Sequence, residues 1–381
     1  MGGGTKTALR KKSTVAIVLA LILIVAAAVL IVPGTRTRIL SLISPDVPEF
    51  TATEFSFNVG RDRVFAYLGN AVIATGSLGI QVFDVEGRET LRESFRLVRP
   101  GIAQAGEYAI VFDIDGASVR VFSATEIIAS IEAVGRVVTA SINNNGWFCI
   151  VTQEGGGSRG TARVYNSNGN EVYTVTLGSG FVLSAKLSHD NGSLAILNLT
   201  PHGSRVSIYR GLDEAKYEPD YVFELHGGLI VDIFYLPDGN ILALSTDSLL
   251  LIDRRGIGTE IYTFYDNRIG GYAFGEDFIA LHLYDYGIGY SGRLITLQTN
   301  GEILGEVSTE RDILSMSSGN NILMTLQNDG LSFYTYALEE IAVPGNAVIA
   351  TGANNILPLS ENIVLATNDH SAIVIRLEEE G

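Results

Sequence analysis

The 381-residue sequence contains one cysteine, one tryptophan, three methionines and nine prolines. With Cys149 alone, no disulfide can form within the chain, and no cysteine follows the apolar segment where a lipoprotein would be acylated. Secreted animal domains of this size often carry disulfides, so their absence points to a prokaryotic cell envelope. Basic residues are few and unevenly placed. Residues 1–38 hold six of the 26 (Lys6, Arg10, Lys11, Lys12, Arg36, Arg38) and no acid, leaving 20 basic against 42 acidic residues beyond, a net charge of −22. A field of that sign repels phosphate backbones and argues against nucleic acid as a partner of the globular part. Cationic ligands or basic proteins suit it better. Sustained helical periodicity is also missing after residue 50, and the 42 glycines read as turns.

What is present begins with an anchor. Val15 to Val32 contains only Val, Ile, Leu and Ala, and 13 of these 18 residues are Leu, Ile or Val. At roughly −0.3 to −0.6 kcal/mol each, those 13 favour insertion by roughly 4–8 kcal/mol. As a helix the run rises about 27 Å, close to the ~30 Å hydrocarbon core. Pro33-Gly34 ends it, and the basic residues before it keep the N-terminus in the cytoplasm. The expected organisation is a cytoplasmic basic tail (1–13), a transmembrane helix (14–33), a juxtamembrane linker (34–48) and an extracytoplasmic domain (49–381). A cleaved signal peptide, with Ala26-Ala27-Ala28 as the cleavage site, is the alternative. Against it, apolar residues continue past that site to Val32.

From residue 50 one strand type recurs every 38 to 45 residues or so, the length of a four-stranded propeller blade. Its members begin with Ile80–Asp84, Ser118–Phe122, Thr161–Tyr165 and Arg205–Tyr209. They continue with Leu249–Asp253, Arg293–Leu297, Leu331–Thr335 and Ala372–Arg376. With each blade's strands lettered A to D from the channel outward, these are the C strands. Polar turns such as Asn143–Gly146, His189–Gly192 and Pro237–Asn240 precede several of them and supply the positive φ that tight hairpins need. Strands such as Glu171–Val175 and Glu260–Phe264 follow. The last repeat ends too soon for a fourth strand, while Glu54–Val59 precedes the first repeat and belongs to none. That segment is expected to fill the last blade's outer place and remove an exposed edge. The fold class is therefore all-β: a closed β-propeller of eight four-stranded blades, or seven if one repeat is irregular, preceded by one transmembrane helix.

Leu187–Ala195 and Tyr235–Ala243 resemble the turn units of WD40-like and TolB-like propellers, and Leu297–Leu304 resembles the quinoprotein-like repeat without its usual tryptophan. The whole chain is similar to an uncharacterised family of membrane-anchored β-propeller proteins of Gram-positive anaerobes. That resemblance implies a fold and an address, and no activity.

Chemistry is sparse. His189, His202, His226, His282 and His370 show no metal-ligand spacing and sit near predicted turns or strand ends, so turn or surface roles are expected. Asp113-Ile114-Asp115-Gly116 starts like a calcium loop but lacks the later ligands, and a B–C hairpin accounts for it. Cys149, in the apolar run Trp147–Val151, reads as a core residue. Asn191-Gly192-Ser193 and Asn198-Leu199-Thr200 are formal glycosylation sequons. Quinone-dependent dehydrogenases, as that resemblance implies, cover their cofactor with an aromatic and often a vicinal disulfide and bind calcium centrally. One Trp and one Cys cannot supply that set. No catalytic residue, cofactor or metal site is assigned.

Loop length offers one asymmetry. Most B–C connections are short, but Gln153–Gly160, Asn198–Ser204 and Leu283–Gly292 read as long, and all three would rise on one face. Their candidate partner-binding residues are Arg159, His202, Tyr284, Asp285, Tyr286 and Tyr290, with the three tyrosines as main contacts. Two functions remain open. One is a non-catalytic platform binding a protein or glycan at the cell envelope. The other is an envelope enzyme, quinoprotein-like or of hydrolase or lyase type, with its site in the central channel.

Overall fold

The second strand of each repeat is a nearly unbroken apolar run, as in Ala71–Gly76, Phe148–Gln153, Ile241–Ser245 and Phe278–Tyr284. A strand of that composition must be covered on both faces, whereas a fourth strand such as Tyr221–His226 alternates and needs cover on one. A ring of sheets packed face to face meets both demands. The computed structural model forms such a ring. It describes residues 50–69, 71–153, 160–178, 180–213, 218–275, 277–285, 292–310, 312–319, 322–328, 330–341, 352–360 and 363–377. The chain divides into two units, Met1–Pro48 and Glu49–Gly381, and all described residues belong to the second. The run Val15–Val32 lies outside them. No helix among the described residues is long and apolar enough to cross a membrane.

Among the described residues, thirty-two strands make eight four-stranded antiparallel sheets. In seven sheets the strand order follows the sequence, from β2 (Val64–Leu68) through β5 (Glu89–Ser94) in blade 1 to β26 (Ile313–Gly319) through β29 (Glu340–Ile341) in blade 7. The eighth runs β1-β32-β31-β30, so the first strand of the domain completes the last blade. β1 (Phe50–Ser56) pairs with β32 (Ser371–Leu377), from Phe50↔Leu377 to Ser56↔Ser371. The closing strand thus lies about four residues earlier than Glu54–Val59. Residues 57–59 instead cross to blade 1, where Phe57 and Val59 are buried and the Asn58 amide donates to the Gln81 side chain.

Each pair of neighbouring blades shares an apolar cluster. Between blades 4 and 5, for example, Leu197, Val206 and Ile208 meet Ile230, Ile233, Ile241 and Leu250. Each such fully buried side chain contributes about 1.5–3 kcal/mol. Cys149 belongs to the core between blades 3 and 4, and burial pushes its thiol pKa up to about 12. The expected C strands all occupy the third place in their sheets.

One repeat feature was not read from the sequence. The first C-strand residue is always small: Gly79, Ser118, Gly160, Gly203, Ser248, Gly292, Gly330 and Ser371. At Gly203 (φ +137°) a Cβ would lie 2.1 Å from the Leu225 carbonyl oxygen of the adjacent D strand. In blades 1, 4 and 5 a hydroxyl at the end of the B strand (Thr75, Thr200, Ser245) donates to the carbonyl of this small residue, at 2.9–3.1 Å.

Candidate functional site

The face where B–C and D–A connections emerge is built differently from its opposite. On the A–B side, three Asx-rich turns are tied to one another. The Asn143 side-chain amide donates to the Ser188 carbonyl (3.0 Å) and to Asn191 Oδ1 (2.6 Å). Asn145 donates to the His189 carbonyl (2.6 Å), and His189 Nε2 lies 3.0 Å from the Tyr235 carbonyl. Asn143, Asn145, Asn191 and His189 are therefore engaged on that side.

On the B–C and D–A side, several apolar side chains stand exposed among charged ones such as Arg61, Arg96, Arg99, Asp247 and Asp266. Val98, Val134, Leu229 and Tyr265 stand on D–A connections, Phe181 opens the A strand that follows one, and Leu78 sits on a B–C turn. All six are exposed, Val98 and Val134 to 64%, Phe181 to 60% and Tyr265 to 79%. The A strands of blades 3 to 7 add to them through a shared irregularity. Each carries a β-bulge just inside its D–A end, with Val138, Leu183, Val231, Gly270 and Leu314 as the extra residues. A bulge leaves its extra residue out of the pairing and re-aims it. Leu183, Val231 and Leu314 are exposed as a result.

Blade 6 departs from this pattern in a way that relocates Tyr284. The residue ends β23 (Phe278–Tyr284) and is half-buried. Its ring lies over Gly270, where a Cβ would come within 2.2 Å of it. Its hydroxyl donates to Asp312 on the next D–A connection, and the Arg268 guanidinium sits 5.4 Å from the ring centre. Tyr284 is thus packed into the rim. Asp285, the next residue, is exposed. Tyr286, Tyr290 and Arg159 lie outside the described residues.

His202 is exposed, but not on a long loop. β15 (Ser193–Thr200) and β16 (Gly203–Arg210) pair as far as Thr200↔Gly203, so the expected loop Asn198–Ser204 is a two-residue turn, Pro201-His202. Its polar composition disguised strand residues: Asn198 is buried, and Arg205 pairs with Glu224 across the sheet. Burial of Asn198 also removes that sequon from solvent, and the Asn191 side chain is held in the turn network.

His282 corrects the expectation that every histidine sits at a turn or strand end. It lies within β23 with no exposed surface, its Nε2 is 3.3 Å from Thr309 Oγ1, and its Nδ1 has no partner. Burial lowers its pKa, and the Asp312 carboxylate opposes that shift. Asp113 is structural, as its hairpin implied: its carboxylate accepts the Val98 and Arg99 amides, each at 2.8 Å, and so pins a D–A connection. Among the described residues, no three or more His, Cys, Asp or Glu are placed to hold a metal ion. The eight innermost strands bring one acid, Asp232, to the channel wall. Its carboxylate accepts the Tyr272 hydroxyl at 3.2 Å and the Ile233 amide at 2.8 Å.

No curated protein matches this sequence. Among solved structures, the fold is similar to the quinohemoprotein alcohol dehydrogenase ADHIIG of Pseudomonas putida HK5, with a TM-score of 0.56 at 11% identity over 87% of this chain and 77% of that one. It is also similar to the Cps50 (Swd1) β-propeller domain of Myceliophteria thermophila, with a TM-score of 0.50 at 12% identity over 84% of this chain and 98% of that one. At such identities the likeness is one of fold. Residues 51–375 match the family described as "Family of unknown function (DUF5711)", and the chain belongs to that family.

Proposed function

We propose that the protein is a membrane-anchored, extracytoplasmic β-propeller that captures a protein partner on its B–C and D–A face and is not an enzyme. The observation that carries this reading is the set of outward apolar side chains on that face: Leu78, Val98, Val134, Phe181, Leu229 and Tyr265. Exposed apolar surface costs solubility unless something covers it, and apolar and aromatic side chains form the centre of protein interfaces. Val, Leu and Phe offer no hydrogen bonds to a glycan's hydroxyls, which favours a protein over an envelope glycan. The run Val15–Val32 and its basic flank support the anchor and its orientation. An enzyme in the channel gains no support from the innermost strands, whose single acid is already engaged by Tyr272.

The test is capture from native membranes with the full-length chain, comparing the parent with a Phe181→Ser/Leu229→Ser double variant. Both side chains are exposed, so the melting temperature should change little. Loss of a partner that the parent retains supports the reading. Undiminished capture by the double variant, with capture lost on changes near Asp213 on the opposite face, would place the interface there instead.

A further inference from the structure

Between the A–B turns of blades 4 and 5, on the face opposite the apolar one, lies a cavity of about 280 Å³. At about 30 Å³ per water it holds the equivalent of roughly nine waters, which sets the size of any occupant. Ser188, His189, Asp190, Arg210, Tyr235 and Arg254 are among the residues that line it. Two arginines and a histidine thus line it beside one carboxylate, in a domain (49–381) whose net charge is −21.

Three features make the cavity a built site. First, Tyr235 is 95% buried and its hydroxyl has no hydrogen-bond partner, although a buried donor normally finds one. Burial raises its pKa, with Asp190 and Arg210 close enough to act on it in opposite directions, so the hydroxyl is a neutral donor. Second, Arg254 is aimed. Its Nε donates to the Asp238 carbonyl at 2.5 Å, and it lies across Gly239, whose φ of +82° forms the turn. A Cβ on Gly239 would come within 2.9 Å of that Nε and displace the side chain. Third, Asp190 is fixed as a carboxylate. Its Oδ1 accepts the Ser188 hydroxyl (2.6 Å) and the Gly192 amide (3.0 Å), which hold its pKa below the usual range. Both bonds fall on Oδ1, which leaves Oδ2 to accept from a ligand hydroxyl.

We propose that this cavity binds a small hydroxylated anion, a molecule of monosaccharide size that carries one carboxylate or phosphate. The anionic group is taken by the guanidinium group of Arg254, a donor suited to carboxylate and phosphate, with Arg210 lining the same cavity. The Tyr235 hydroxyl donates to the same ligand, and Asp190 selects a hydroxyl beside the charge. Neutral sugars lack the first contact and inorganic phosphate lacks the last.

Calorimetric titration of the full-length protein in detergent with glucuronate, glucose 1-phosphate and glucose tests this directly. Saturable binding of at least one of the two anions, with glucose weaker by tenfold or more, is expected, and whichever anion binds identifies the group. Tyr235→Phe should weaken that binding roughly ten- to a hundredfold, since it removes one hydrogen bond to a charged ligand. Without ligand it should melt no lower than the parent, because the lost hydroxyl had no partner. Should that variant prove unstable, Arg254→Gln, at an exposed position, gives the same reading. No binding of either anion, glucose binding as tightly as glucuronate, or unaltered affinity in a folded Tyr235→Phe or Arg254→Gln variant would overturn the proposal.

Discussion

Closure of the ring can be tested at one side chain, Phe55. It sits on β1, opposite Ala372 of β32, and is 92% buried. Its ring centre lies 4.7 Å from that of Phe83 in blade 1, and both belong to a cluster with Phe57, Val72, Leu365 and Val374. Phe55 thus joins the strand that completes the last blade to the body of the first. Phe→Ala in a core costs about 3–5 kcal/mol. That is a large part of a typical total stability of about 5–15 kcal/mol. For domains of 150–250 residues 1 kcal/mol shifts Tm by about 2–4 °C, and this larger domain falls nearer the lower figure. Phe55→Ala should therefore lower Tm by about 6–10 °C, read by differential scanning calorimetry. Phe181→Ala, at an exposed phenylalanine, is the control and should shift it by about 1 °C or less. A chain beginning at residue 49 should fold as a monomer, whereas one beginning at residue 61 exposes the β32 edge and should aggregate. If Phe55→Ala melts with its control, and both truncated chains melt together, β1 does not hold the ring closed.

Other consequences can be checked separately. Tyr284→Phe removes the hydroxyl that donates to Asp312 and should cost about 1 kcal/mol in urea unfolding, while Tyr265→Phe, at an exposed position, should cost nothing measurable. His282, with its folded pKa depressed by burial, stays neutral where the unfolded chain takes up a proton. Its contribution is therefore present above about pH 6.5 and is lost as pH falls towards the folded pKa, by at most about 1.4 kcal/mol per pH unit. Comparing urea midpoints at pH 5.5 and 7.5 should show a smaller drop for His282→Gln than for the parent, and equal drops would remove His282 as the cause. For the anchor, protease shaving of intact cells should reach residues beyond 40 and N-terminal sequencing should find the start intact. A mature chain beginning near Val29 would mean cleavage.

The blades were legible because their signal repeats. Eight C strands at even spacing, apolar B strands and Asx-Gly hairpins agree with one another, so each supports the reading of the next. The small residue that opens every C strand is equally periodic, but Gly and Ser read as generic turn residues until the D-strand carbonyl beside Gly203 shows what excludes a Cβ. Single deviations were harder. His282 lies in Phe278–Tyr284, an otherwise apolar run, and that setting alone marks a buried histidine. The blade 4 turn was misjudged because polarity was taken for looseness. Arg205 and Glu224 are polar and still strand residues, since the outer strands face water on one side. The apolar face was missed because loops were compared by length and not by composition. Its signal lay in apolar residues beside turn glycines: Leu78-Gly79, Val134-Gly135, Gly180-Phe181 and Gly228-Leu229.

The two faces divide the work that a propeller's turns can do. On the A–B side Asn143, Asn145 and Asn191 are consumed in tying blade to blade, beside a small polar cavity that can admit a small ligand. On the D–A side the bulges do the reverse. They take Leu183, Val231 and Leu314 out of the sheet and leave them exposed beside the D–A connections. An isolated bulge in a surface strand would be ordinary. The same bulge one or two residues inside the D–A end of five consecutive inner strands is a repeated device, and in blade 6 its extra residue, Gly270, is covered by Tyr284. The first strand, β1, begins on the other side, where Phe50 pairs with Leu377 at the C–D end of blade 8. A partner that seats on the apolar face would cover side chains that nothing within the described fold covers, and that expectation ties the bulges and the glycine-flanked connections to the proposed interface.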